Sequence, residues 1–308
     1  MTIIASLPTQ QLLDDVRAAL DPTVDAELVL WQDGEPAPAE RIDIVVPPYM
    51  RQGRMLRALA DVEHRLIQGQ AIGYEGVADI LPAGEVYANA SGVHETATAE
   101  LAVGLMIAGQ RGLGENARDQ ADGVWRQEWT PGLADRRVLL LGYGGVAKAI
   151  AARLAGFEVE LVPVASRARD EDGVHVHGID ELAQLLPGAD ILVNVLPGGP
   201  ETEKLIDDGV LSALPDGALV VNVGRGPTVD TDALVDHVRR GRIRVASDVF
   251  DPEPLPEDHP LWRLDGVFIT PHNGGRSDAM RPRIARLIAR QIERMARGEE
   301  PLNVVIRT

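Results

Sequence analysis

The sequence predicts an α/β protein of two domains, each a parallel sheet flanked by helices, with the first domain split in the chain. Three observations predict it. Short apolar runs alternate with amphipathic helical patterns along most of the 308 residues, which is the rhythm of β-α-β units. A glycine-rich turn joins one apolar run to a helix near Val138–Leu154. A last amphipathic helix then follows the final apolar run, in a chain too long for one simple core.

In chain order, "AELVLW" (Ala26–Trp31), "IDIVV" (Ile42–Val46) and "HRLIQ" (His64–Gln68) read as strands. "QQLLDDVRAAL" and "MRQGRMLRALADVE" read as the helices among them. One long helix is expected from about His94 to Gln120, ended by the breakers Pro131 and Gly132 in the segment that follows. Six further strands are expected: Val138–Gly142, Val159–Val164, Asp190–Val195, Ala218–Gly224, Arg244–Phe250 and Gly266–Pro271. Their near-continuous apolar runs suit strands buried on both faces. Pro163 inside the second of these leaves its register open by a residue.

After His272, the residues Met280, Ile284, Leu287, Ile288, Ile292 and Met295 form one apolar stripe, with Ser277 and Asp278 at the expected helix start. No strand is expected beyond it, so this helix is expected to leave the second domain and return to the first. The expected division is a first domain of residues 1–96 plus 277–308 and a second of 97–276.

Composition narrows the function. A formal net charge of −17 argues against nucleic acid or an anionic membrane as partner, and it requires a local basic pocket for any anionic substrate. With no cysteine, disulfides, thiolate catalysis and Cys-ligated zinc are excluded, as fits a cytoplasmic protein. "MTIIASLPTQ" lacks the features of a signal peptide. The most apolar stretch, Glu100–Gly109, is too short to span a bilayer and reads as a buried helix.

"VLLLGYGGVAKAIAARL" is a strand, a glycine turn and a helix. Gly142, Gly144 and Ala147 fill the G-x-G-x-x-G/A pattern. The first glycine makes the tight turn, and the second lets backbone approach a pyrophosphate. The alanine lets the helix pack against the strand, and the helix N-terminus offers free N–H groups to the phosphates. The alternative is a tight turn without a ligand, but the strand before and the helix after favour a dinucleotide. An acidic residue at the end of the next strand would hold the ribose 2′-OH of NAD. That end falls near Ala165, and "ASRAR" carries Ser166, Arg167 and Arg169 there instead. Guanidinium groups suit a 2′-phosphate, so NADP is expected, with NAD as the alternative. A solvated loop face is the other reading of these arginines, since Asp170, Glu171 and Asp172 follow at once.

Three polar residues follow three successive strands: Arg225 in "LVVNVGRG", Glu253 in "SDVFDPEPLP" and His272 in "VFITPH". In a parallel sheet all three can sit at the carboxyl edge, where ligands bind. A carboxylate orients an imidazole and favours its protonated form, which makes a general acid/base pair. An arginine clamps a carboxylate with two parallel hydrogen bonds. Each residue alone also reads as an ordinary loop, turn or capping residue; together they favour catalysis.

On these residues the chain resembles the D-isomer-specific 2-hydroxyacid dehydrogenase family, of glyoxylate/hydroxypyruvate reductase type. The resemblance is carried by "LLGYGGVAKAIA", "NVLPGGPETEKLI", "LVVNVGRGPTVDTDALV", "ASDVFDPEPLPEDHPLW" and "TPHNGG". It implies two Rossmann-like domains, a discontinuous flavodoxin-like substrate domain and a dinucleotide-binding domain. It also implies that Arg225 binds the substrate carboxylate and carbonyl, that His272 is the acid/base and that Glu253 is its partner. Gly145 and Val146 are implied at the pyrophosphate, and Leu196, Pro197 and Thr202 along the cofactor. Asp248 is implied near the nicotinamide amide, and Tyr143, Val223 and Gly274 complete the cofactor-binding set. In the first domain, Ala71-Ile72-Gly73-Tyr74-Glu75 matches the family's glycine loop, with Ala71 and Glu75 replacing its usual Ser and Asp. Backbone donors survive such changes, so Ile72 and Gly73 are expected to bind the substrate carboxylate. Tyr74, Tyr49 and Met50 are expected to shape specificity.

Glu253 disfavours a formate dehydrogenase, whose histidine partner is typically Gln. The lysine of phosphite dehydrogenases is replaced by Ile72, and the end at Thr308 leaves no regulatory domain of the longer phosphoglycerate dehydrogenases. The expected reaction is reduction of a small 2-oxo acid, glyoxylate or hydroxypyruvate, with NADPH. D-lactate, D-3-phosphoglycerate or a bulkier acid are alternatives, as is a dinucleotide-sensing interaction protein, since corepressors resembling the family keep the same trio. A homodimer is expected from the apolar helix around Leu101–Ile107. His175 and His177 hint at a metal, but no carboxylate-rich pattern surrounds them in sequence, so none is expected.

Overall fold

The computed structural model describes residues 2–50 and 52–308. The chain forms two compact units: one reaches His94 and resumes at Ser277, and the other is Glu95–Arg276.

The first unit opens with β1 (Ile3–Leu7), α1 (Gln10–Ala19), β2 (Ala26–Leu30), β3 (Ile44–Val45), α2 (Gly53–Arg57), β4 (Leu66–Gln68) and β5 (Val86–Ala88). The second unit holds α3 (Glu95–Arg111), α4 (Leu113–Asp122), β6 (Arg136–Leu141), α5 (Gly145–Leu154), β7 (Val159–Ala165), β8 (Arg169–Glu171), β9 (Val174–Gly178), α6 (Leu182–Leu185), β10 (Ile191–Asn194), α7 (Asp208–Ala213), β11 (Ala218–Asn222), α8 (Thr231–Arg239), β12 (Ile243–Ser247) and β13 (Val267–Ile269). The chain then returns to the first unit with α9 (Met280–Ala296) and β14 (Val304–Arg307).

The first sheet runs β14-β5-β4-β3-β1-β2. Its five parallel strands follow the flavodoxin-like order 2-1-3-4-5. Successive residues of each strand enter opposite cores. Ile44, Leu66 and Ala88 pack with α1 and α9, whereas Val45, Ile67 and Tyr87 pack with Trp31, Met55 and Leu56. A sheet covered on both faces needs apolar residues at every position, which is why these runs do not alternate. Thr9 starts α1 by accepting the Leu12 N–H at 3.2 Å.

The second sheet runs β13-β12-β11-β10-β6-β7-β9-β8. With β6 counted as the first strand, this is the doubly wound order 3-2-1-4-5-6 with one strand added at each edge. Here too the strands are covered twice: Leu139, Leu192 and Val220 face one core, and Val138, Ile191 and Leu219 the other. Burying each such side chain contributes about 1.5–3 kcal/mol.

Several expectations are corrected. Helix formation from His94 to Gln120 is interrupted at Gly112, whose φ of +59° is a left-handed conformation that ends a helix. The helix expected around 50–63 shortens to α2 and a 3₁₀ turn at Ala58–Asp61. α9 begins at Met280 rather than at Ser277. A strand does follow it: β14 pairs antiparallel with β5. The strands β1 and β5 and the β8–β9 hairpin were not anticipated. Pro163 is accommodated because β9 pairs with β7 only from Val164 onward, so the missing N–H deprives no second neighbour.

α3 buries one face inside its own unit, where Ala99, Ala102, Leu105 and Met106 are covered by residues of β6, β10, β11 and β12. Leu101, Val103 and Ile107 on its other side are only partly buried.

Candidate active site

The nucleotide turn lies where the strand order reverses, between β6 and its neighbour β10. Gly142 ends β6 with a φ of +102°, and a Cβ there would stand 3.2 Å from the backbone of Val195, just past β10. Only glycine makes this turn against that neighbour. Gly144 follows at the cap position of α5, with no atom within 4 Å of where its Cβ would be. Its backbone is open on that side, and it has no side chain to bond the first N–H groups of α5. Ala147 is fully buried against the sheet. A backbone open at Gly144, at a helix N-terminus and a switch point, fits a pyrophosphate, with the Glu95 side chain packed against Gly145 beside it. The residues present thus fit a dinucleotide, with Gly142, Tyr143, Gly144, Gly145 and Val146 forming the turn.

β7 ends at Ala165, where the sequence places the end of this strand. Ser166 and Arg167 are exposed immediately beyond. Arg169 is more committed: its guanidinium pairs with Glu171 at 2.9 Å and donates to the Tyr143 carbonyl at 3.4 Å. Glu171 also bonds Lys148. The Lys148 and Arg169 cations hold the Glu171 carboxyl below its usual range, Lys148 being the larger cause. Across the switch point, the Thr202 hydroxyl donates to the Pro197 carbonyl at 2.7 Å and shapes the loop that begins at Leu196. Val223 is buried in the core beside β11.

Arg225 stands between glycines because its neighbours leave no room for a side chain. A Cβ on Gly224 would lie 2.6 Å from the Leu196 carbonyl oxygen, and one on Gly226 would lie 1.7 Å from that of Phe250. The chain at Arg225 is thus wedged between the ends of β10 and β12. A buried amide network holds it from below. Asn222 Nδ2 donates to the Arg225 carbonyl at 3.2 Å, and the Thr228 hydroxyl donates to the same oxygen at 2.6 Å. Asn194 Nδ2 joins these by donating to Asn222 Oδ1 and to Thr228 Oγ1. Sequence reasoning missed these residues; the available signal was one Asn closing each of two otherwise apolar strands. The guanidinium donates to the Gly224 carbonyl at 2.8 Å.

Glu253 follows β12 and His272 follows β13. With β11, β12 and β13 adjacent and parallel, Arg225, Glu253 and His272 all rise from one carboxyl edge. His272 Nδ1 lies 2.5 Å from Glu253 Oε1. Both side chains are about one-third exposed, at 33% and 38%, so the pair is open to a ligand. Asp248 is buried beneath the histidine. Its carboxylate accepts from the Thr270 hydroxyl at 2.6 Å and from the Asn273 and Gly274 N–H groups, both at 2.8 Å. Its carbonyl accepts the His272 N–H at 2.8 Å. These bonds hold His272 at a φ of +53°, a left-handed backbone that costs about 1–3 kcal/mol and persists only when its surroundings impose it. Gly274 is closely packed between the side chains of Asp248 and Thr98, which a Cβ there would approach to 3.1 and 3.3 Å.

In the first unit, the loop after β4 is fastened through its carbonyls. Asn89 Nδ2 donates to the Ile72 carbonyl at 2.8 Å, and the Ala90 N–H to that of Ala71 at 2.9 Å. The buried His94 places Nε2 at 2.6 Å from the Gln70 carbonyl and stacks on Tyr49 with ring centroids 5.6 Å apart. A Cβ on Gly69 would collide with the Tyr87 hydroxyl at 2.0 Å. Ile72 and Gly73 are half-buried, while Tyr74 and Met50 are exposed. The carbonyls of Gln70, Ala71 and Ile72 are thus engaged within the first unit. His94 thus has a structural role that the sequence did not reveal.

The family described as D-isomer specific 2-hydroxyacid dehydrogenase, NAD binding domain, matches residues 103–274. A glyoxylate reductase of Korarchaeum cryptofilum is 32% identical over 253 residues, 78% of this chain and 76% of that protein. A D-isomer specific 2-hydroxyacid dehydrogenase of Xanthobacter autotrophicus Py2, solved in complex with NADPH and MES, is 27% identical with a TM-score of 0.81, covering 99% of this chain and 98% of that one. A probable 2-hydroxyacid dehydrogenase of Rhizobium etli, in complex with NADP, HEPES and L(+)-tartaric acid, is 26% identical with a TM-score of 0.77 over 99% and 98% of the two chains. The chain belongs to the D-isomer specific 2-hydroxyacid dehydrogenase family and is an NAD(P)-dependent oxidoreductase of 2-oxo and 2-hydroxy acids.

Proposed function

We propose that the protein reduces a small 2-oxo acid, glyoxylate or hydroxypyruvate, with NADPH. The observation that carries this reading is the His272–Glu253 pair on the same carboxyl edge as Arg225. The nicotinamide, when bound, supplies the hydride for the carbonyl carbon. Arg225 clamps the substrate carboxylate, and its charge stabilises the oxygen as negative charge develops there. Glu253 occupies His272 Nδ1, so Nε2 is the nitrogen that delivers a proton to the carbonyl oxygen. Asp248 keeps the His272 loop in place beneath it. NADPH is favoured by Ser166 and Arg167, exposed at the tip of β7 with no carboxylate beside them on that strand, and by the NADPH and NADP complexes of the two structural relatives.

Glu95–Arg276 is in this reading the dinucleotide-binding domain, and the first unit is the substrate domain. Ile72 and Gly73 are the first unit's candidates for binding a substrate carboxylate through backbone N–H groups. The deciding experiment compares initial rates of NADPH and NADH oxidation with glyoxylate, hydroxypyruvate, pyruvate and bulkier 2-oxo acids. Fast turnover of the two small acids with NADPH supports the reading; preference for a bulky acid or for NADH overturns it.

The protein is further proposed to be a cytoplasmic homodimer. Among the described residues no helix is long and apolar enough to cross a membrane. The segment after α4 presents Val124, Trp125 and Trp129 to solvent, the two tryptophans 90% and 104% exposed. Exposed apolar side chains of this size support an association surface there. Light scattering on Trp125→Ser/Trp129→Ser is expected to show a monomer; an unchanged dimer mass would place the interface elsewhere.

A further inference from the structure

The outer edge of the second sheet carries a cluster of imidazoles and carboxylates that the proposed reaction does not use. In the β8–β9 hairpin, Asp170 pairs opposite His175. Side chains alternate along a strand, so His175 and His177 share one face of β9, and Asp170 stands on that face too. His175 Nδ1 lies 2.8 Å from Asp170 Oδ1, and His177 Nδ1 lies 2.8 Å from Glu181 Oε2. The two rings meet edge to face with centroids 4.7 Å apart. One ligand atom from each of His175, His177 and Glu181 falls within 4.8 Å of the others. Arg169 and Glu171 alternate to the opposite face, toward Tyr143 and Lys148.

We propose that His175, His177 and Glu181 form a binding site for a divalent transition-metal ion of the zinc or nickel class. Two imidazoles bound to one ion at Zn–N distances of about 2.0–2.1 Å place their ring centroids about 5 Å apart, and the observed separation is 4.7 Å. The separation of the pair is thus one that two imidazoles on a single ion take. Asp170 at His175 Nδ1 leaves Nε2 as the lone-pair nitrogen of the neutral ring. A carboxylate behind a ligating imidazole fixes the tautomer and raises its basicity. Glu181 is held by the Gly178 N–H at 2.8 Å through its other oxygen, which presents it as an ordered carboxylate. Two imidazoles with one carboxylate suit zinc, nickel or copper and not calcium or magnesium, which take oxygen ligands. His175 is half exposed and His177 and Glu181 partly so, which leaves an entry path and positions for water. The chain's net charge of −17 favours cation approach.

The sequence shows the two histidines but not the carboxylates that join them. Asp170 arrives by hairpin pairing, and Glu181 by a 3₁₀ turn at Ile179–Glu181.

The test is calorimetric titration of untagged, chelator-treated full-length protein with Zn²⁺ alone, supported by the visible spectrum of the Co²⁺ form. One saturable ion per chain is expected. His175→Ala and His177→Ala should each weaken it by at least about tenfold, and Asp170→Asn by about tenfold. His259→Ala should leave binding unchanged, and the Co²⁺ ligand-field bands should vanish in the His175→Ala/His177→Ala double variant. Circular dichroism checks that the variants fold, which the partial exposure of these side chains favours. No saturable binding, or binding and spectrum unaltered in the double variant, overturns the proposal. Because metal is titrated without cofactor or substrate, failure here leaves the dehydrogenase reading untouched.

Discussion

His272 Nδ1 and Glu253 Oε1 stand 2.5 Å apart, although 19 residues separate them in the chain and each follows a different strand. The contact commits one imidazole nitrogen to the carboxylate and, in the proposed reaction, leaves the other for the substrate. His272→Ala is expected to lower kcat by about 10²–10⁴-fold, the usual range for a general acid. Glu253→Gln keeps a hydrogen-bond acceptor at Nδ1 but removes the charge, so its loss should be smaller. Steady-state kinetics with glyoxylate decides; if kcat survives in both variants, the pair is not the proton donor.

Arg225 and Gly226 should fail in different ways. Arg225→Lys retains a charge but not the bidentate geometry, so kcat/KM should fall while folding and NADPH binding persist. Gly226→Ala places a Cβ 1.7 Å from the Phe250 carbonyl oxygen, and backbone must move to relieve it. Thermal unfolding should show a marked loss of stability in Gly226→Ala alone. Equal melting temperatures in the two variants would contradict this account of the glycine.

Cofactor choice should respond to Arg167 more than to Arg169, because Glu171 already pairs with Arg169. Arg167→Ala is expected to raise the KM for NADPH with little change for NADH. Ser166→Asp should reverse the preference, since a carboxylate at that tip accepts from a ribose hydroxyl and repels a phosphate. Parallel KM measurements with both cofactors test each substitution.

Asp230 caps α8, accepting from the Asp232 and Ala233 N–H groups at 3.1 and 3.2 Å, and pairs with Lys204 at 3.1 Å. The Ala233 N–H first, then Lys204, lower its pKa from the ordinary 3.8. A carboxyl whose folded pKa is depressed contributes stability that is fully present above the unfolded value and is lost as pH falls through the folded value. Asp230→Ala should therefore cost about 1 kcal/mol at neutral pH and progressively less below pH 4. Asp230→Asn retains the cap and should cost less. Chemical denaturation at neutral and acid pH distinguishes them.

The nucleotide-binding half of the fold was legible because its signals are local. A strand buried on both faces needs an unbroken apolar run, and a turn at Gly142 needs a residue that tolerates a φ of +102°, so both leave their mark in adjacent residues. The same holds for Arg225, Glu253 and His272, each in the loop that follows its strand. The expected parallel edge then brings them together, because strand ends in such a sheet have one direction.

What the sequence by itself determined was therefore the α/β class, the glycine turn, the residues at the strand ends and the return of the last helix. Only the tertiary structure decided what depends on partners distant in the chain. β14 is a strand because β5 offers it an edge, and α3 buries Ala102, Leu105 and Met106 because the second sheet covers that face. Gly226 is glycine because Phe250 passes beside it. His94 and Asn89 brace a loop about twenty residues earlier, and Asp170 meets His175 only when the hairpin closes. No local pattern encodes these contacts, since side-chain type reports how a residue suits its environment and not which residue will supply that environment.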